Sequence, residues 1–293
     1  METKTRTIPG PESRKLQIYQ AGQMDGVPVL VHSGTPGSGL LYDLWVEDAH
    51  ARGIRLIGYD RPGYGGSSPD PGRSVASVAR DVQSIASSLG LKRLLTWGVS
   101  GGGPHALACA ALLPDLVAAA ASIASPAPFG AEGLDWIAGM GEDNVAEFGA
   151  ALKGRQPLER FIRGAAEEIL AADPEALVQA LRSLLSAVDA AAVTEGFGAY
   201  LLEAMGQGIQ DRRDGWIDDD LAFVSAWRFD LGQIRIPVLL MQGEQDRMVP
   251  FAHARWLAAC IPGVEARLEP DEGHLTLQVH RIPEVHAWLL DQL

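Results

Sequence analysis

The chain has 293 residues, 47% hydrophobic and 21% charged, enough for one α/β domain with an insertion or for two ordinary domains. Its 24 lysines and arginines against 37 aspartates and glutamates leave a net charge of −13 without a basic stripe, which argues against nucleic acid and anionic membranes as partners. The start, "METKTRTIPGPESRK", lacks the apolar core of a signal peptide, and no apolar run is long enough to span a bilayer, so a cytoplasmic protein is expected. Cys109 and Cys260 sit in alanine-rich helical patterns as free thiols, and no Cys/His cluster suggests a metal site.

From Arg14 to about Ser125 strand and helix patterns alternate. "KLQIYQA" and "VPVLVHS" read as strands, a helix follows near "LLYDLWVEDAHARG", and "IRLIGYD" is the next strand. Ser74 opens a helix whose Val75, Val78, Val82, Ile85 and Leu89 share a face, closed by Gly90. "RLLTWG" is a strand, Gly101 to Leu113 a helix, and "VAAAASIAS" a strand again. Helical crossovers between buried strands imply a mostly parallel sheet covered on both faces. Phe129 to about Phe229 shows helix patterns without a convincing strand, and alternation resumes at "IPVLLMQGEQD", "HARWLAACIP", "EARLEPDEGH" and the closing helix "VHAWLLDQL". The expected division is an α/β core of residues 1–128 and 230–293 with an all-helical insertion at 129–229.

The stretch "GVSGGGPHA" admits two chemistries. Gly101, Gly103 and Ala106 fit a dinucleotide fingerprint, but the next strand ends "SIASPAP" without the acid that would hold a ribose, and no lysine follows for a phosphate loop. Gly98, Ser100 and Gly102 instead form G-x-S-x-G, a sharp strand-to-helix turn that needs small flanking residues and presents one serine. A serine hydroxyl needs a base, and the base an orienting carboxylate. His274 and Asp246 lie on loops after later strands, in the order Ser100, Asp246, His274; nearby Glu244 is the rival acid.

Four motifs in order, "HSGTPGSG", "YDRPGYGGS", "GVSGGG" and the pair "GEQDRMVP" and "EGH", resemble the α/β-hydrolase fold family in its helical-cap group. The resemblance covers roughly Leu16 to Ser125 and Leu231 to Leu293. It implies an α/β-hydrolase fold, a mostly parallel central sheet flanked by helices with an inserted helical cap. It also implies a triad of Ser100, Asp246 and His274, and an oxyanion hole from the N–H groups of Thr35 and Gly101, with Gly34 as the alternative to Thr35. Asp60 and Arg61 match a signature whose role is architectural. The activity implied is hydrolysis of a small acyl compound without cofactor or metal. A carboxylic ester comes first, a substrate of the proline iminopeptidase type second and perhydrolysis third. The alternative from another class is a non-catalytic small-molecule binder on the same scaffold. His32 and His105 read as structural. Trp136, Met140, Phe148, Phe161, Tyr200, Met205 and Trp216 read as ordinary core, and the acids of "DRRDGWIDDDL" as a solvated helix start.

Overall fold

Eight strands, β1 (Lys4–Pro9), β2 (Lys15–Gly22), β3 (Val27–His32), β4 (Ile54–Tyr59), β5 (Leu94–Val99), β6 (Val117–Ile123), β7 (Val238–Gly243) and β8 (Glu265–Glu269), form one sheet in the computed structural model, which describes residues 3–293. Their spatial order is β1-β2-β4-β3-β5-β6-β7-β8. Strand β2 runs antiparallel to both neighbours, and every pairing from β4 onward is parallel. Every residue of β5, β6 and β7 is buried, which explains their largely apolar runs: both faces of the sheet's centre are covered.

The sequence leaves residues 4–9 without an element, yet they form the edge strand β1. In "KTRTIP" only Ile8 is buried, so no alternation marks the segment. Its place is set by antiparallel pairing with β2, from Lys4 opposite Gln20 to Pro9 opposite Lys15.

Helices α1 (Asp43–Ala51), α2 (Val78–Leu89) and α3 (Gly103–Leu112) connect the strands of the first half. Val82 and Ile85 of α2 pack with Leu30 and Ile57 on one face of the sheet. On the other, Trp45 of α1 meets Trp97 of β5 edge to face at 5.0 Å. The regular elements between β6 and β7 are helical, namely α4 (Glu142–Ala151), α5 (Arg155–Ala171), α6 (Pro174–Ala180), α7 (Ala187–Ala192), a π-type turn (Val193–Phe197), α8 (Gly198–Ile209) and α9 (Asp214–Phe223). Helix α5 buries Leu158, Ile162, Ala166 and Ile169 as one stripe against Ile209 and Trp216. Helices α10 (Ala252–Cys260), α11 (Thr276–His280) and α12 (Ile282–Leu290) complete the alternation. Among the described residues no helix is long and apolar enough to cross a membrane.

Candidate active site

Strand β5 leads directly into Ser100, whose φ of +51° is in the left-handed region that non-glycine residues seldom occupy. The turn is too tight for larger neighbours. A Cβ on Gly98 would run into the Gly102 carbonyl, and one on Gly102 into the carbonyl of His32 on the adjacent strand. A 3₁₀ turn, Ser100–Gly102, then leads into α3.

His274 and Asp246 lie on the loops after β8 and β7, and both are buried. His274 Nδ1 is 2.8 Å from Asp246 Oδ2. The same oxygen accepts from Gln242 Nε2 at 2.8 Å, and Oδ1 accepts the N–H groups of Met248 and Val249, each at 2.8 Å. The aspartate is thus fixed by dipoles and one imidazole, without a guanidinium. Glu244 is exposed. Burial alone would lower His274, but Asp246, and behind it Asp189, hold it above the ordinary histidine value.

The loop after β3 contains the Thr35–Pro36 cis peptide and is held by a second, larger network. Arg61, 2% exposed, donates to the carbonyls of Ser33 and Gly34, to Thr35 Oγ1 at 3.0 Å and to Asp219 Oδ2 at 2.7 Å. Thr35 Oγ1 in turn donates to Asp219 Oδ2 at 2.9 Å, and its side chain lies over Gly101. Arg73 donates to the other Asp219 oxygen at 2.6 Å. Arg61 therefore supports the backbone beside Ser100, an architectural part as its motif implies. His105 lies 3.6 Å from Asp219, beyond hydrogen-bond reach, and His32 Nδ1 pairs with the Tyr59 hydroxyl at 3.0 Å.

This network corrects one expectation. Asp218, Asp219 and Asp220 are at most 2% exposed, not solvated: Arg61 and Arg73 reach Asp219, and Arg73 and Arg155 reach Asp218, from distant parts of the chain. Asp220 instead shares a hydrogen bond with Glu147, and among the described residues no guanidinium pairs with either. Burial, with each carboxyl beside the other, raises both above the usual carboxylate range.

Ser100, Gly101, Gly34, Thr35 and His274 line one cavity of about 410 Å³. The seven aromatic and methionine residues read as core, Trp136 to Trp216, line it too. Helical spacing cannot separate these roles, because a cavity wall is buried from solvent just as a core is. The remaining wall is mostly apolar, and its charged residues are the acids Asp143, Glu147, Glu168 and Asp220, with no lysine or arginine beside them. Among the described residues no group of three or more His, Cys, Asp and Glu side chains is disposed to hold a metal ion. The sequence reading missed Gln242, which braces Asp246, and Asp189, which touches the His274 loop.

A serine on a strained strand-to-helix turn, with an Asp–His pair on later loops of a sheet in this order, is an arrangement known from one fold, and the alpha/beta hydrolase fold family model matches residues 27–146. The chain has the α/β-hydrolase fold and is similar to that superfamily. The chain is 28% identical over 269 residues to a non-heme chloroperoxidase of Streptomyces lividans, covering 90% of each chain. It is 24% identical to a proline iminopeptidase of Neisseria gonorrhoeae, covering 86% of this chain and 85% of the relative. A thermophilic esterase from Thermogutta terrifontis superposes with a TM-score of 0.71 at 22% identity over 99% of both chains, a likeness of fold.

Proposed function

We propose that the chain is a serine hydrolase that cleaves a small carboxylic ester, or a related acyl compound, through an acyl-enzyme on Ser100. The observation that carries the reading is the left-handed Ser100 sharing a cavity with a histidine whose far nitrogen is bonded to Asp246. In this reading Ser100 Oγ attacks the acyl carbon while His274 Nε2 takes its proton. The N–H groups of Gly101 and Thr35 receive the oxyanion. The tetrahedral adduct collapses, the alcohol leaves with the proton from His274, and water activated by the same imidazole releases the acid. The helices of residues 129–229 act as a cap that shapes the acyl pocket over the core of 1–128 and 230–293. Two free cysteines fit a reducing cytoplasm.

The four acids in the cavity wall support a second reading, an aminopeptidase acting on a substrate amine. An ammonium group would find Glu147 and Asp220, side by side, among the cavity's lining residues. Labelling with a fluorophosphonate, followed by turnover of short-chain aryl esters and amino-acid arylamides, tests both. Folded protein that leaves Ser100 unlabelled would sink the hydrolase reading in favour of a non-catalytic binder. Arylamides turned over as fast as esters would make the second reading the better one.

A further inference from the structure

The loop that carries His274 is gripped from the helical segment by one carboxylate. Asp189, in the first turn of α7, is fully buried at 0% exposure. Its Oδ2 accepts the N–H of His274 at 3.0 Å, and its Oδ1 accepts those of Leu275 at 2.7 Å and Thr276 at 3.1 Å. The Ser186 hydroxyl donates to Oδ2 at 2.8 Å and fixes the carboxylate itself. The approach is so close that a Cβ on Gly273 would run into the carboxylate. Three consecutive backbone donors on one carboxylate define the position and tilt of the residue that carries the imidazole.

Burying a carboxylate is expensive, and a neutral acceptor would satisfy some of these donors more cheaply. A charge there has a second effect, at the imidazole. We propose that Asp189 is a positioning residue for the base, fixing the backbone of His274 and using its charge to favour the imidazolium that forms during proton transfer. The inference rests on the reading of His274 as the general base. It gives the helical segment a part in the chemistry as well as in the cavity wall.

The charged neighbours of His274 are few. Asp246 faces it from the β7 loop and Asp189 from α7. Glu272, two residues earlier, is engaged by Arg281 at 2.9 Å and His280 at 3.2 Å, and Arg247 points to the Leu185 carbonyl. The cavity acids Asp143, Glu147, Glu168 and Asp220 line the same space, but His274 pairs with Asp246 and Asp189. Asp189 is therefore the charge, after Asp246, whose removal acts directly on His274, and its loss should lower the imidazole's affinity for a proton.

The test uses full-length Asp189→Asn and Ser186→Ala, read by thermal unfolding, by ester turnover against pH, and by NMR titration of ¹⁵N-histidine-labelled protein. Asp189→Asn should unfold cooperatively, lose about tenfold or more in kcat with KM within about threefold, and titrate His274 at lower pH by about half a unit. An unmoved His274 midpoint, or a kcat within about twofold of wild type in the folded variant, overturns the proposal. If Asp189→Asn does not fold, Ser186→Ala decides, because it keeps the carboxylate and removes one of its anchors. A kcat about threefold lower with unchanged melting is expected, and an unchanged kcat overturns the proposal. Wild-type protein that neither hydrolyses esters nor labels at Ser100 would instead refute the hydrolase reading, and the NMR midpoint in Asp189→Asn would still test the grip on the imidazole.

Discussion

His274 and His105 are each 2% exposed, and each lies beside a buried aspartate, yet their affinities for a proton move in opposite directions. His274 is raised: burial works against the charged ring, but Asp246 at 2.8 Å outweighs it. His105 is lowered by burial, and the pull of Asp219 is countered by Arg61 and Arg73. The two aspartates differ in what already compensates them. Asp246 meets amide N–H groups and a glutamine, which stabilise a carboxylate without cancelling its charge. Asp219 meets two permanent guanidinium charges, which hold it well below the usual carboxylate range against the effect of burial and leave little field for a neighbour. A buried carboxylate can tune a base only if its charge is solvated by dipoles rather than paired off.

The largest expected effect comes from breaking the dipole-solvated side. Ser100→Ala should abolish turnover, and Asp246→Asn should cut kcat about 10⁴-fold while leaving KM nearly unchanged, since an amide favours the wrong imidazole tautomer. Both variants should melt close to wild type. If Glu244→Gln produced the loss instead, the acid would be misassigned.

On the guanidinium-paired side the loss should be of stability. Asp219→Asn leaves Arg61 and Arg73 buried without their anion and should cost about 3–5 kcal/mol, measured as a lower denaturant midpoint. A variant as stable as wild type would mean that water reaches this network freely, and the contrast between the two sites would fail.

A third expectation concerns pH. The base acts when neutral, and Asp246 favours its charged form, so kcat/KM should rise with pH and reach half its plateau above the ordinary histidine value of 6.5. A half-maximum below that value would show that burial outweighs the aspartate.

The two sites were also unequally legible. Ser100, Asp246 and His274 could be read because each follows a strand of the sheet and the chemistry demands those residue types. The strands β5, β6 and β7 declared themselves as largely apolar runs. "DGWIDDDL" was misread because its compensating charges come from Arg61 and Arg73, about 150 positions away, and no local pattern reports a tertiary partner. Asp189 was hidden differently. Ser186 accepts the Asp189 N–H at 3.3 Å, so "SAVD" reads locally as an ordinary helix start, while its carboxylate serves a loop 85 residues on.

The smallest expected effect is the sharpest test of the comparison. If Asp219 is spent on its guanidiniums, His105 contributes little beyond its volume, since neither ring nitrogen has a hydrogen-bond partner and the ring packs near Phe223 at 6.0 Å between centroids. His105→Phe should therefore leave kcat/KM within about threefold of wild type and stability within about 1.5 kcal/mol, with the acid limb of the pH profile unmoved. A moved limb would mean that the charge of Asp219 reaches the reacting groups through His105, and that the two aspartates differ less than their partners suggest. An unmoved limb in His105→Phe alongside a collapsed kcat in Asp246→Asn would assign the tuning of the site to the aspartate held by dipoles.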